Sequence, residues 1–423
     1  MTPTKSKTLE CDLMVIGGGI AGITAAVEAA EMGRSVMLVE KEHYLGGQVA
    51  RMHRYFPKLC PPLCGMEINF RRIKNNTLIT ALTGAAPAKI ASAGSGYQVE
   101  VMVEPRFVTE ACTACGDCEK VCTVEAPDAF NMGLTRAKAI RLPYEMAYPY
   151  RYYVDKSAVQ HPSLQAAAKI CPAQAIDLSM QPLLTTVKTK AVVWAAGWQS
   201  YDAAKLPELG FDVLLNVVTN LQFERIAANA ILANNKIVRP SDGAPLASVA
   251  FVQCAGSRDD NHLPYCSAVC CMASLKQSRY IREQYPDAEI HIFFIDARTP
   301  GRWEDFYVNV QDDPKTIVHR GKVGKIEAAD NSNLTIIAEN TLTGNLERVT
   351  VGMAILAVGM EPVRGAKELG LPLAFDKYGF AYRNGAANVM PAGVAAGPKD
   401  VAASVQEATG SVALALSAIG RSI

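Results

Sequence analysis

Residues 11–41 read CDLMVIGGGIAGITAAVEAAEMGRSVMLVEK. The apolar run 13–16 is expected as a buried parallel strand, followed by a glycine turn, a helix and a second strand that ends in an acid. Gly17, Gly19 and Gly22 stand in G-x-G-x-x-G spacing where strand meets helix. Gly17 permits the tight turn, Gly19 lets the backbone approach a pyrophosphate, and Gly22 lets the helix pack close to the sheet. The helix N-terminus, with Ile20 and Ala21 in its first turn, presents free N–H groups and a positive dipole end to phosphates. Glu40, 18 residues beyond Gly22, is placed to accept both hydroxyls of an adenosine ribose, with Lys41 beside it. Three glycines alone are a weak signal. In order with strand, helix, second strand and terminal acid, they specify an ADP-containing dinucleotide.

The whole chain agrees with such a host. Its 423 residues can bury two or three domain cores. A formal net charge of +1, with no basic run, gives no reason to expect nucleic acid. No apolar run approaches the roughly 18–20 residues of a spanning helix, so no direct membrane span is expected. The first ten residues, MTPTKSKTLE, carry no export signal, and a cytoplasmic setting is expected. Twelve cysteines in that setting point to metal or redox chemistry rather than a disulfide framework.

Further small-residue turns mark where the backbone can lie against a cofactor. Gly46, Gly47 and Gln48 follow the acid in KEHYLGGQ. Ala195, Ala196 and Gly197 end the strand TVKTKAVVWAAG, and Gly359 ends AILAVGMEP. Gly393 and Gly397 belong to a strand, a glycine turn and a helix starting near Asp400, whose N-terminus could face the redox-active ring of a flavin and stabilise negative charge there. A second β-α-β cadence spans residues 247–296. An irregular segment, FPKLCPPLCGMEINFRR, leads into a helix expected near Met66 and carries Cys60 and Cys64. These could be ligands, a redox pair or small buried thiols.

Cys112, Cys115, Cys118 and Cys122 form C-x2-C-x2-C-x3-C, the run of bacterial [4Fe–4S] ferredoxins. In two-cluster ferredoxins the fourth cysteine of each run ligates the other cluster. The downstream half keeps only Cys171, in ICPAQAI. One cluster is therefore expected in this insert, on Cys112, Cys115, Cys118 and Cys171, with Cys122 a remnant. A second group, Cys254, Cys266, Cys270 and Cys271, lies in VQCAGSRDDNHLPYCSAVCC at C-x11-C-x3-C-C. It is expected to hold a metal cluster, the alternative being four buried thiols. It occupies the turn where a nicotinamide domain would carry its glycine fingerprint, and only Gly256 stands there. Electrons are thus expected to enter or leave through iron–sulfur centres rather than through NAD(P)H. Asp296, at the end of the second strand, has no fingerprint to serve and reads as structural. The six histidines show no metal or triad spacing, and Arg71 and Arg72 read as a solvated face or a partner contact rather than a catalytic pair.

With the flavin fingerprint, the ferredoxin insert and CAGSR…YCSAVCC together, the chain from about Cys11 resembles the flavoprotein subunit of heterodisulfide reductases, the HdrA-like family. Within it, FPKLCPPLCGMEINFRRIKNN and the reduced length look closest to the flavoprotein branch found in quinone-interacting membrane-bound oxidoreductase complexes of sulfate reducers. The resemblance implies a thioredoxin-reductase-type flavin core, FAD, and one or two [4Fe–4S] clusters. It implies a place at the cytoplasmic face of the membrane, held there by partner subunits: another HdrA-like flavoprotein and a haem and iron–sulfur membrane subunit. Electrons would pass between menaquinol and adenylylsulfate reductase, with flavin-based confurcation as a candidate mode. Two departures stand out. The flavin-binding Gly-Asp near the C-terminus is drawn out to GVAAGPKD, and long family members carry cluster domains at both ends that this sequence does not show.

The expected fold class is α/β, two Rossmann-like folds with an inserted ferredoxin-like module. The expected boundaries are 1–105, 183–245 and 351–423 for the FAD-binding domain, 106–182 for the insert, and 246–350 for a nicotinamide-domain-like fold carrying the second cysteine group. No classical catalytic acid or base is expected. Two rivals stand beside this reading: a stand-alone flavin disulfide reductase using Cys60 and Cys64, and a non-catalytic scaffold that merely carries cofactors.

Overall fold

The computed structural model describes residues 4–5, 8–56, 58–385 and 388–420. The first of two large sheets is built around the 12-residue strand Leu183–Trp194. Along one edge it runs parallel to Leu9–Ile16, which is followed by Val36–Glu40 and Ile79–Thr83, all parallel. Its other edge serves two neighbours in succession. Gly96–Val103 pairs antiparallel with its first half, and Val389–Pro391 pairs parallel with its last three residues. Burial explains the division. Residues 187–190 alternate buried and exposed, whereas 191–194 are buried throughout, as expected where a strand passes from a half-solvated antiparallel region into a helix-covered parallel one. Helices Ile20–Glu31 and Val401–Gly420 cover this end, meeting through Ala25, Ala29, Ala408, Val412 and Ala415.

The second sheet is wholly parallel, in the order Val217–Thr219, Met353–Val358, Ser248–Ala255, Glu289–Phe294, Thr316–Arg320. Helices Asn220–Leu232 and Cys270–Gln284 pack on one face around Phe223, Phe251 and Ile281. An antiparallel meander, Val323–Ala328, Leu334–Glu339 and Leu346–Val351, covers the other. The sheets are joined where Trp198–Ser200 pairs antiparallel with Met360–Pro362. This two-stranded link moves two expected boundaries. Residues 217–232 and 353–358 belong to the second fold rather than to the first, because a parallel strand takes its partner from across a crossover and not from its chain neighbour.

Residues 107–180 form a small core of their own, with Phe107, Val108, Ile140, Val154 and Leu164 packed around Cys118 and Cys122. The tyrosine-rich stretch within it lacks periodicity because it docks rather than pairs. Tyr144 donates to the Leu45 carbonyl at 2.7 Å and packs against Tyr44 and Phe130. The helix expected near Met66 runs Pro62–Asn75, with Pro62 in its first turn, where the missing N–H costs nothing. Val401–Gly420 starts where expected, Asp400 accepting the Ala403 N–H at 2.7 Å. Among the described residues, no helix is long and apolar enough to cross a membrane.

Candidate functional site

A cavity of about 420 Å³ runs between the two sheets. The fingerprint turn, the Val36–Glu40 strand end, the 194–198 crossover and the start of the C-terminal helix line it from the first fold. Val269, Met272, Lys276 and Trp303 line it from the second. Of the residues expected at a dinucleotide, Gly17, Gly19, Ile20, Ala21, Glu40, Lys41, Gly47, Gln48, Ala195, Ala196 and Gly197 reach its wall. Gly22 and Gly46 stand behind it. A Cβ at Gly22 would strike the Gly17 carbonyl, and one at Gly46 would come within 2.7 Å of Ala50. Gly393 packs against Ala21 and Gly397 caps the turn before the helix, and neither lines the cavity. Gly359 is a correction. A Cβ there would meet Leu263, Ser257 and Ser267 in the second fold, because its strand belongs to that sheet, and it is the following Met360 that reaches the cavity.

The geometry suits an adenine dinucleotide. Glu40 is buried, and its carboxylate accepts the Gly18 N–H at 2.5 Å and the Glu42 N–H at 2.8 Å. Each of its oxygens thus keeps a lone pair for a ribose hydroxyl. Burial holds its pKa above the ordinary carboxylate value. Gly47 lies against Gly19, leaving no room for a side chain between the two turns. In the same wall, Gln48 Oε1 and Arg51 Nε are buried with no hydrogen-bond partner, which is the condition of groups that a ligand satisfies. Asp400, displaced in sequence from the usual Gly-Asp, still lines the cavity.

Sequence reasoning missed a charged pair at this site. Lys276, 3% exposed, lines the cavity and bonds Glu224 Oε1 at 2.7 Å and the Arg54 carbonyl at 2.6 Å. Glu224 also accepts from Gln277, from the His53 N–H and from Tyr280. The available signal was helical: Met272, Ala273 and Lys276 share the cavity-facing side of Cys270–Gln284.

Cys112, Cys115, Cys118 and Cys171 line one small cavity in the insert, and Cys122 does not. The Cys122 thiol is turned into the core, toward the Val124 carbonyl. Cys254, Cys266, Cys270 and Cys271 line a second cavity at the head of Cys270–Gln284. In both, backbone N–H groups point at sulfur: Ala114 to Cys112 at 3.4 Å, Ala175 to Cys171 at 3.3 Å, Ala268 to Cys266 at 3.3 Å. Several residues in or beside these loops, Ala114, Gln174, Cys254, Arg258 and Ala268, hold left-handed backbone, a strain that persists where a site over-determines it. Burial, then neighbouring cysteines, pushes Cys118 up to about 12; burial, with Cys271 and Cys266 adding, pushes Cys254 up to about 11. Deprotonated sulfur in such places needs a compensating cation. Among the described residues no group of three His, Cys, Asp or Glu converges as a single ion requires; the sulfurs instead line the walls of a space between them.

The remaining candidates fall elsewhere. Cys60 is half-buried and Cys64 exposed, and neither lines the dinucleotide cavity. Arg71 and Arg72 pair with Glu67 and Glu31 on the surface. His291, His319 and Glu347 form a hydrogen-bonded row. Asp296 faces the second cysteine cavity, bound by Arg258.

Comparisons with known proteins agree with this architecture. The family described as FAD dependent oxidoreductase matches residues 12–94. The chain is 32% identical, over 99% of its length, to the HdrA-type component of the ferredoxin/F(420)H(2)-dependent CoB-CoM heterodisulfide reductase of Methanosarcina acetivorans, covering 54% of that protein. It is 33% identical, over 96% of its length, to an HdrA-type iron–sulfur component of the CoB–CoM heterodisulfide reductase of Methanopyrus kandleri, covering 64%. The chain thus spans somewhat over half the length of these curated relatives. Among solved structures, thioredoxin reductase from T. acidophilum shares the fold at 14% identity and a TM-score of 0.53, over 98% of this chain and 99% of that one. Thioredoxin reductase from Lactococcus lactis does so at 12% and 0.52, over 97% and 99%. The chain thus has the thioredoxin-reductase-type fold, its N-terminal region matches the FAD dependent oxidoreductase family, and over nearly all of its length it is similar to part of the A subunits of heterodisulfide reductases.

Proposed function

We propose that this chain is an HdrA-like flavoprotein, an FAD- and iron–sulfur-containing electron-transfer subunit of a heterodisulfide-reductase-like complex, and that it passes electrons between menaquinol and adenylylsulfate reductase. One observation carries the electron-transfer reading: a single helix, Cys270–Gln284, contributes Cys270 and Cys271 to one cysteine cavity and Met272, Ala273 and Lys276 to the dinucleotide cavity. A cluster and a flavin in these cavities would be separated by about one helical turn of protein. The redox partners rest on the resemblance of FPKLCPPLCGMEINFRRIKNN to the quinone-interacting branch, as do the proposed attachment to the cytoplasmic face of the membrane and the option of confurcation.

In this reading Gly17, Gly19 and Gly47 admit the FAD pyrophosphate, Glu40 accepts the ribose hydroxyls, and Gln48 and Arg51 are satisfied by the ligand. Cys112, Cys115, Cys118 and Cys171 hold one [4Fe–4S] cluster, and Cys254, Cys266, Cys270 and Cys271 hold the other. Bound FAD supplies the conversion between one- and two-electron transfer. The chain's own contribution is to exclude water, to present the C-terminal helix N-terminus, and to hold the Lys276 ammonium in the cavity wall. The cysteines and Asp296 occupy the place of a nicotinamide site, so NADH is not expected to reduce the flavin rapidly.

The test is iron and acid-labile sulfide per FAD on protein purified without oxygen. About eight irons per flavin supports the reading, with about four lost in Cys112→Ala and about four in Cys270→Ala. Iron near zero with FAD retained, or rapid bleaching by NADH, refutes it.

A further inference from the structure

The two cysteine cavities differ in their charge. The walls of the first, apart from its cysteines, are Val108, Tyr152, Ala173, Ile176 and similar groups, with no charged side chain among them. The second is lined also by Arg258, Asp296 and Arg298. Arg258 is ion-paired to Asp296, and Arg298 Nε stands 3.6 Å from the same carboxylate oxygen. The loop that carries Arg258 is tightly specified. Its backbone N–H donates to the Tyr265 carbonyl at 3.1 Å, the Leu263 N–H donates to the Gly256 carbonyl at 2.9 Å, and Arg258 itself sits at φ 56°. A bulky residue accepts that conformation only where its surroundings enforce it. In a nicotinamide domain, an acid ending the second strand takes the ribose hydroxyls. Here Asp296 is committed to an arginine that faces the cysteines.

We propose that Arg258, oriented by Asp296, sets the reduction potential of the iron–sulfur cluster held by Cys254, Cys266, Cys270 and Cys271. Asp296 is the positioning residue. This inference rests on the proposed cluster at those cysteines. Each one-electron reduction adds a negative charge to a cluster already anionic through its four thiolates. Two guanidiniums and one carboxylate leave one net positive charge beside it, which favours the reduced form. No charged side chain lines the first cavity; Arg106 and Lys120 act on Cys112 and Cys115 only from outside its wall. The counter-charge in the wall of the second cavity makes its cluster the more readily reduced of the two, so that it accepts electrons from the rest of the protein.

An anaerobic redox titration of the full protein, monitored by electron paramagnetic resonance, tests this on Arg258→Met, Arg258→Lys and Asp296→Asn. At the wild-type midpoint of the second cluster, Arg258→Met should lower the ratio of reduced to oxidised cluster by about tenfold or more. Arg258→Lys should largely restore it, Asp296→Asn should raise it, and the first cluster's signal should not move. The proposal is overturned if iron is retained and the midpoint stays in place in both Arg258→Met and Asp296→Asn. If Arg258→Met loses iron, Asp296→Asn decides, and loss of iron in all three variants would make the pair merely structural and overturn it as well. Failure of the underlying reading looks different: Cys270→Ala would then remove no iron from otherwise wild-type protein.

Discussion

Breaking the buried pair between Lys276 and Glu224 should be costly, and more so from one side than from the other. Both side chains are 3–4% exposed, so solvent repays little of a lost partner. Removing one member of a buried ion pair costs about 3–5 kcal/mol, because the other charge stays desolvated. Lys276→Met leaves Glu224 with three donors: Gln277 at 2.6 Å, the His53 N–H at 2.9 Å and Tyr280 at 3.2 Å. Its cost falls at the lower end, about 3 kcal/mol. Glu224→Gln leaves the buried ammonium with no counter-charge, only neutral partners such as the Arg54 carbonyl at 2.6 Å, and turns an amide NH2 toward groups that are themselves donors. That places it at the upper end, about 5 kcal/mol. The double variant Lys276→Met/Glu224→Gln leaves no uncompensated charge and should cost well under the sum of the two. Urea denaturation followed by circular dichroism and flavin fluorescence measures all three. A loss below about 1 kcal/mol in either single variant, or strict additivity in the double, would refute the argument.

Four further outcomes follow from the same geometry. Glu40→Ala leaves the Gly18 and Glu42 amides without their acceptor and should weaken FAD binding by about 10–100-fold in flavin-release titrations, the equivalent of about 1–3 kcal/mol. Because burial raises the Glu40 pKa, protonation removes a ribose acceptor as pH falls, and wild-type FAD affinity should start to drop at a pH above the usual carboxylate range, an onset that Glu40→Ala abolishes. Cys171→Ala should lose about four irons per flavin, whereas Cys122→Ala should keep its full complement by the same iron assay, since Cys122 does not face the cavity. Arg225 bonds Asn131 of the insert and the Arg51 carbonyl of the first fold, and lies over the Phe130 ring at 4.7 Å. Arg225→Ala should therefore raise hydrogen exchange in residues 128–135 at least tenfold while exchange in Leu9–Ile16 is unchanged.

What could be read from the residues alone was whatever depends on near neighbours in the chain. The 11–41 unit, its glycine turn and Glu40 lie within one β-α-β stretch, so spacing and local chemistry were enough. The C-x2-C-x2-C run is likewise a local loop, and that distant Cys171 lines the same cavity could be anticipated from the ligand pattern of two-cluster ferredoxins. Other features needed the assembled chain. The membership of Val217–Thr219 and Met353–Val358 in the second sheet depends on parallel pairing across crossovers, for which chain order is a poor guide. Gly359 looked like a flavin turn and packs elsewhere for that reason. The Lys276–Glu224 pair joins two helices and two loop carbonyls or amides, and the Arg258–Asp296 pair joins the ends of two strands. Neither pair has a sequence spacing of its own. A buried charge is tolerable only beside its partner, and only the tertiary structure brings the partners together.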